Sequence, residues 1–249
     1  VDRNYRPPQA FAQRLEVEED GSVDLTLAGD DPDGVIGTNC MVAVTDYAEL
    51  VKASCEGGAK LIVSGAGLPM NLPELTVDWP DVALVPIVSS IKAAELITRK
   101  WHKSYNRLPD AVVVEDPDTA GGHLGEKLEK IGTGEYDQYA TVRGVKAYLR
   151  NTWQLDVPVI AAGGVWGRTD FEYALAQGAD GVELDVRFTA DQVVVLNHDA
   201  EVGEMGPLIY HDFATIRKAQ TIRRAALAPA DPSAKDRQVA SRATAMEQG

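Results

Sequence analysis

The sequence predicts an α/β fold, a (β/α)8 TIM-type barrel with an atypical or incomplete N-terminal strand region. Three observations predict it. Apolar, β-branched runs of strand length recur without polar alternation, as strands buried on both faces do. Segments with helical spacing lie between them, and strand alternating with helix is the signature of a parallel sheet. The chain has 249 residues, 45% of them hydrophobic, and about 250 residues is the usual size of one such barrel. Periodicity by itself also admits an open sheet; the repeat of roughly 22 to 27 residues fits a closed barrel better.

The strands are expected in residues 35–41, 60–64, 82–88, 111–114, 157–161 and 181–186, with residues 192–196 as an additional barrel strand. Residues 46–57 carry Tyr47, Leu50 and Val51 at helical spacing, and residues 89–105 carry Ile91, Ala94, Leu96 and Ile97. Asp46 and Ser89 or Ser90 suit the N-caps of those helices, and Gly57-Gly58 suits a helix end. Asp212 is placed to cap a helix over residues 213–222, with His211 in the turn ahead of it. The long interval between residues 125 and 157, with Tyr136, Tyr139, Tyr148 and Trp153, fits a lid over the barrel mouth or a packing surface. Residues 1–33 form an irregular N-terminal segment in which only residues 22–27 alternate like a strand, an atypical first barrel strand. Residues 34–225 form the barrel domain. Residues 226–249, rich in Ala, Pro, Ser and charge, read as a frayed tail.

A formal charge of −14 and a pI near 4.7 oppose a nucleic-acid or anionic-membrane partner. Cys40 and Cys55 offer neither a disulfide framework nor zinc spacing and read as buried free thiols. No run approaches the roughly 18 apolar residues of a membrane span. The expectation is a cytoplasmic protein with a small-molecule substrate, and homo-oligomerisation stays open.

Chemistry in such a fold belongs on the loops after the strands. Glu115-Asp116-Pro117-Asp118-Thr119-Ala120-Gly121-Gly122-His123 puts a histidine in a glycine-rich turn directly after an apolar run. Its ring exchanges a proton near neutral pH, and the glycines let backbone approach a ligand. Ser64-Gly65-Ala66-Gly67 and Ala161-Ala162-Gly163-Gly164 follow two further strands. Glycine amides ahead of a helix can bind phosphate without a lysine. His102, among Lys100, Lys103 and Arg107, reads as part of a solvated helix face.

Taken in order, Gly34-Val35-Ile36-Gly37-Thr38-Asn39-Cys40-Met41, the run from Ile62 to Pro69, the run from Ala83 to Ser90, Leu108-Pro109-Asp110-Ala111-Val112-Val113-Val114-Glu115, the Gly121-Gly122-His123 loop and the run from Pro158 to Val165 resemble the nitronate monooxygenase family, formerly called 2-nitropropane dioxygenases. The resemblance spans about Gly34 to Arg187. It implies a (β/α)8 barrel with FMN at its mouth, and oxidation of alkyl nitronates by flavin and dioxygen. It also implies His123 as the catalytic residue and Asn39, Ser64, Gly121, Gly122, Gly163 and Gly164 as flavin contacts. A related flavin barrel, the enoyl-acyl-carrier-protein reductase, shares the Gly-Gly-His loop.

The chain departs from that pattern in residues 1–33, which lack the family's opening strand and loop, and at Asp185-Val186, where the family has a Gly-Thr pair facing the FMN phosphate. The segment from Ala174 to Asp199 resembles instead the glycerophosphodiester phosphodiesterases. That likeness implies a divalent metal such as Ca²⁺ or Mg²⁺ on Glu183 and Asp185, with His198 as acid or base. Carboxylates two apart on a strand do share a face, but Ala162-Gly163 stands where that family has a His-Arg pair. A flavin oxidoreductase, a metal-dependent phosphodiesterase and a barrel with a degenerate, inactive site are the three readings the sequence supports.

Overall fold

A computed structural model of the protein describes residues 16–17, 23–24, 35–119, 136–165 and 167–226. Two short strands, β1 (Glu16–Val17) and β2 (Val23–Asp24), pair antiparallel with each other. The alternating segment around Val23 is therefore outside the parallel sheet, and is not a first barrel strand. Six strands follow at the expected places: β3 (Gly37–Met41), β4 (Leu61–Gly65), β5 (Ala83–Val88), β6 (Val112–Glu115), β7 (Val159–Ala162) and β8 (Gly181–Glu183). Each pairs in parallel with the next, so the sheet order is the chain order. Sequential order is the order of a barrel wall; a doubly wound open sheet reverses at a switch point. The result is an α/β barrel of TIM type, present as an arc of six strands.

The helices are α1 (Tyr47–Glu56), α2 (Leu72–Leu75), α3 (Ile91–Tyr105), α4 (Gln138–Trp153), α5 (Arg168–Ala176) and α6 (Phe213–Ala226). Ser90 caps α3 by accepting from the Ala93 amide at 3.2 Å, and Asp137 caps α4 by accepting from Ala140 at 2.8 Å. Both helices close on left-handed non-glycine residues, Asn106 and Gln154. Asp46 precedes α1 but makes no capping bond. Asp212 accepts from Thr215 at 2.7 Å, as its position predicts.

The two-residue period of each strand sorts its side chains between two cores. Ile62, Leu84, Val88, Val112, Val114, Val159 and Ala161 face the helices and pack with Val51, Ile97, Trp101, Val142 and Leu149. Val63, Val85, Ile87, Val113, Ile160 and Ala162 face the inside of the arc. Cys40 and Cys55 are buried free thiols on the helix side.

Two expectations change after β7. The strand expected over residues 181–186 stops at Glu183; the chain then enters an antiparallel hairpin of β9 (Val186–Phe188) and β10 (Val194–Leu196). The additional strand expected near residue 194 therefore pairs with β9 and does not extend the parallel sheet. The tyrosines of the long interval belong to the helical layer. Tyr139 packs edge-on against Tyr173 at 5.3 Å, the Trp153 indole donates to Tyr148 Oη at 2.9 Å, and Tyr136 donates to the Glu115 carbonyl at 3.2 Å. None of these contacts forms a lid. His102 is exposed but packs its ring against Trp153, centroids 4.6 Å apart. No helix among the described residues is long and apolar enough to cross a membrane.

Candidate active site

The carboxyl ends of all six parallel strands line one cavity of about 640 Å³, and this convergence shows that the sheet is curled. Inward parity decides which residues reach it. Asn39 and Met41 come from β3, Gly65 from β4, Ile87 from β5, Val113 and Glu115 from β6, Ala162 from β7 and Glu183 from β8. The floor is apolar, and glycines leave room at the wall. Gly163 and Gly164 have φ of 86° and 72°, a left-handed turn that suits glycine. A β-carbon on Gly164 would meet Thr119 Oγ1 at 3.3 Å. Ala66, also in the wall, holds φ of 50°, which a non-glycine residue adopts only where its surroundings impose it.

Of the residues expected at the flavin, Asn39, Gly163 and Gly164 line this cavity. Ser64 does not. It shares the parity of Ile62, is fully buried, and its hydroxyl donates to the Cys40 carbonyl at 2.9 Å and lies 2.8 Å from Tyr47 Oη. It joins β3, β4 and α1 behind the sheet, and its neighbour Gly65 takes the place at the wall. His123, Gly121 and Gly122 lie outside the described residues. The chain leads toward them from an Asx turn in which Asp116 accepts from the Asp118 amide at 2.9 Å and the Thr119 hydroxyl at 3.0 Å.

The far wall is acidic. Glu183 is the inward residue of β8 opposite Ala162, and Asp185, His198 and Asp199 join it from the turns flanking the hairpin. Burial pushes the Glu115 carboxyl up, and the charges of Glu183, Asp185 and Asp116 push it further, with His198 opposing. Glu183 is raised by burial and then by Asp185, again against His198. His198 Nδ1 lies 2.8 Å from Asp199 Oδ1. Glu115 escaped the sequence reading, although its parity with Ala111 and Val113 is the signal that turns it inward. Among the described residues no three His, Cys, Asp or Glu side chains form a group that could hold a metal ion; Glu183 and Asp185, the pair the phosphodiesterase likeness implies as ligands, both line the cavity.

The cavity suits one part of FMN and opposes another. Gly65, Ala162, Gly163 and Gly164 line the cavity beside the apolar Ile87 and Val113, a lining that suits an apolar, aromatic ligand. Glu183 and Asp185 in the far wall oppose the phosphate. A carboxylate about 5 Å from a phosphate oxygen opposes it by about 3 kcal/mol per charge pair at an effective dielectric of 20. The N-terminus of α5 returns only about 0.3 to 1 kcal/mol.

A model of the nitronate monooxygenase family matches residues 28–199, more than half of the chain. A model of the glycerophosphoryl diester phosphodiesterase family matches residues 169–240. Among solved structures, FabK from Thermotoga maritima is 22% identical with a TM-score of 0.45, the match covering 78% of this chain and 64% of that one. A mutant of the same FabK is 27% identical over 60% of this chain and 42% of that one, with a TM-score of 0.44. A nitroalkane oxidase from Streptomyces ansochromogenes is 16% identical over 80% of this chain and 65% of that one, TM-score 0.41. The chain thus spans between 42% and 65% of the length of these proteins. No curated protein matches it.

Proposed function

The chain belongs to the nitronate monooxygenase family, and from that membership we propose that it is a flavin-dependent oxidoreductase that oxidises alkyl nitronates with dioxygen, FMN being the flavin the family implies. The observation that carries the reading is the glycine-walled cavity onto which six strand ends converge. A bound flavin supplies the electron transfer, and the protein contributes binding, orientation and electrostatics. Asn39 offers an amide at the wall, Gly163 and Gly164 let backbone approach the ring, and Gly121 and Gly122 are proposed to do the same from the loop after β6. Ile87 and Val113 give the cavity an apolar lining.

His123 is the proposed catalytic residue. The carboxylates in the far wall oppose an anion, so the neutral nitroalkane is the form that enters more readily; His123 then takes the carbon-bound proton and holds the resulting nitronate. The test is oxygen consumption by flavin-loaded protein supplied with a secondary nitroalkane or its nitronate. Turnover should fall about a hundredfold or more in His123→Ala, the usual weight of a general base. Flavin-loaded protein that consumes no oxygen with either form refutes the assignment.

A further inference from the structure

We propose that this barrel mouth discriminates against the flavin phosphate, so that riboflavin, which carries the same ring on an uncharged tail, binds more tightly than FMN. The inference rests on the flavin reading above and deepens it. Among the described residues the cavity's charged lining consists of Glu115, Glu183, Asp185 and Asp199 with His198, and none of the described lining residues is a lysine or arginine. Three described cations on elements flanking the cavity are committed elsewhere. Arg168, at the start of α5, is held by Glu172 at 2.7 Å; Arg187 donates to the His198 carbonyl at 2.8 Å; Lys146 is held by Asp180 at 2.7 Å ahead of β8.

Among the described residues, the Gly163-Gly164 turn leading to α5 is a positively polarised feature of the wall, since backbone amides ahead of a helix favour an anion. Glu183 stands opposite Ala162, the residue immediately before that turn. Any phosphate drawn to those amides therefore meets Glu183 and, two residues further along the chain, Asp185. A ribityl hydroxyl carries no charge, and donates to a carboxylate as readily as it accepts from an amide. The same wall that repels a phosphate accepts the tail without it.

Riboflavin and FMN are titrated separately into the purified full chain at low ionic strength, with flavin fluorescence as the readout. Riboflavin is expected to bind at least tenfold more tightly. In the Glu183→Gln, Asp185→Gly double variant, checked for native circular dichroism, FMN affinity should rise at least tenfold and riboflavin affinity hold. FMN binding as tightly as riboflavin to the unaltered protein overturns the inference and leaves the flavin reading standing. If neither flavin binds, the flavin reading falls and takes the inference with it. The unaltered protein decides the matter even where the double variant does not fold.

Discussion

Glu183 faces inward at the end of β8 with Asp185 and Glu115 around the same cavity, and its carboxyl is raised by burial and by the neighbouring charge. A raised carboxyl keeps its proton in the folded state at a pH where the unfolded chain has released it. Its favourable contribution is complete below the ordinary glutamate range and is lost as pH rises through the folded value. Glutamine has the same shape and no such loss. Glu183→Gln should therefore melt close to the unaltered protein near pH 4 and about 2 °C higher at pH 8, with solvent screening of this half-buried group already discounted. Melting curves at the two pH values check it. An equal difference at both would mean that the effect is packing, and that the charges in the wall do not strain it.

At the scale of elements, the C-terminal ends of β6 and β7 are joined by a side chain from a helix. Gln138 opens α4, is buried, and donates from Nε2 to the Val114 carbonyl at 3.1 Å and the Ala162 carbonyl at 2.6 Å. Its replacement by leucine leaves both carbonyls without that donor, for a cost of about 1 to 3 kcal/mol. Urea unfolding should show a lower midpoint at unchanged slope; a loss under about 0.5 kcal/mol would show that water replaces the amide. No sequence pattern announces this bond, because a glutamine at a helix start reads as solvated. The six strands were legible because burial on both faces selects uninterrupted runs such as Val112-Val113-Val114. The end of β8 was not. Glu183-Leu184-Asp185-Val186 alternates as a strand would, and only the antiparallel pairing of Val186 with Leu196 decides that the sheet has ended. The family resemblance implies Ser64 at the ligand, whereas parity counted from Ile62 sends it to the helix side.

Beside the two cores that flank the sheet, the described residues form a third, smaller core away from it. Val195, Leu208 and Ile216 are buried together, with Val202, Met205 and Phe213 packed around them. This cluster joins the β9–β10 hairpin to α6 and is separate from the large core between sheet and helices. The acidic wall depends on it, since Asp185 precedes β9 and His198 and Asp199 follow β10. The barrel arc supplies the room for a ligand and the carboxylates of Glu115 and Glu183; the satellite supplies those of Asp185 and Asp199. Ile216→Ala removes a fully buried side chain from a core too small to redistribute the loss, at a cost of about 2 to 5 kcal/mol. Regions with separate cores open separately, so that cost should appear locally. Hydrogen exchange is expected to speed up about a hundredfold at the amides of Val193, Asn197 and Leu208, which anchor the hairpin and its flanking turn. The amides that pair β4 with β5 and β6 with β7 should keep their rates. Equal acceleration in both sets would mean that hairpin and barrel unfold as one unit, and that the charged wall cannot open without the sheet.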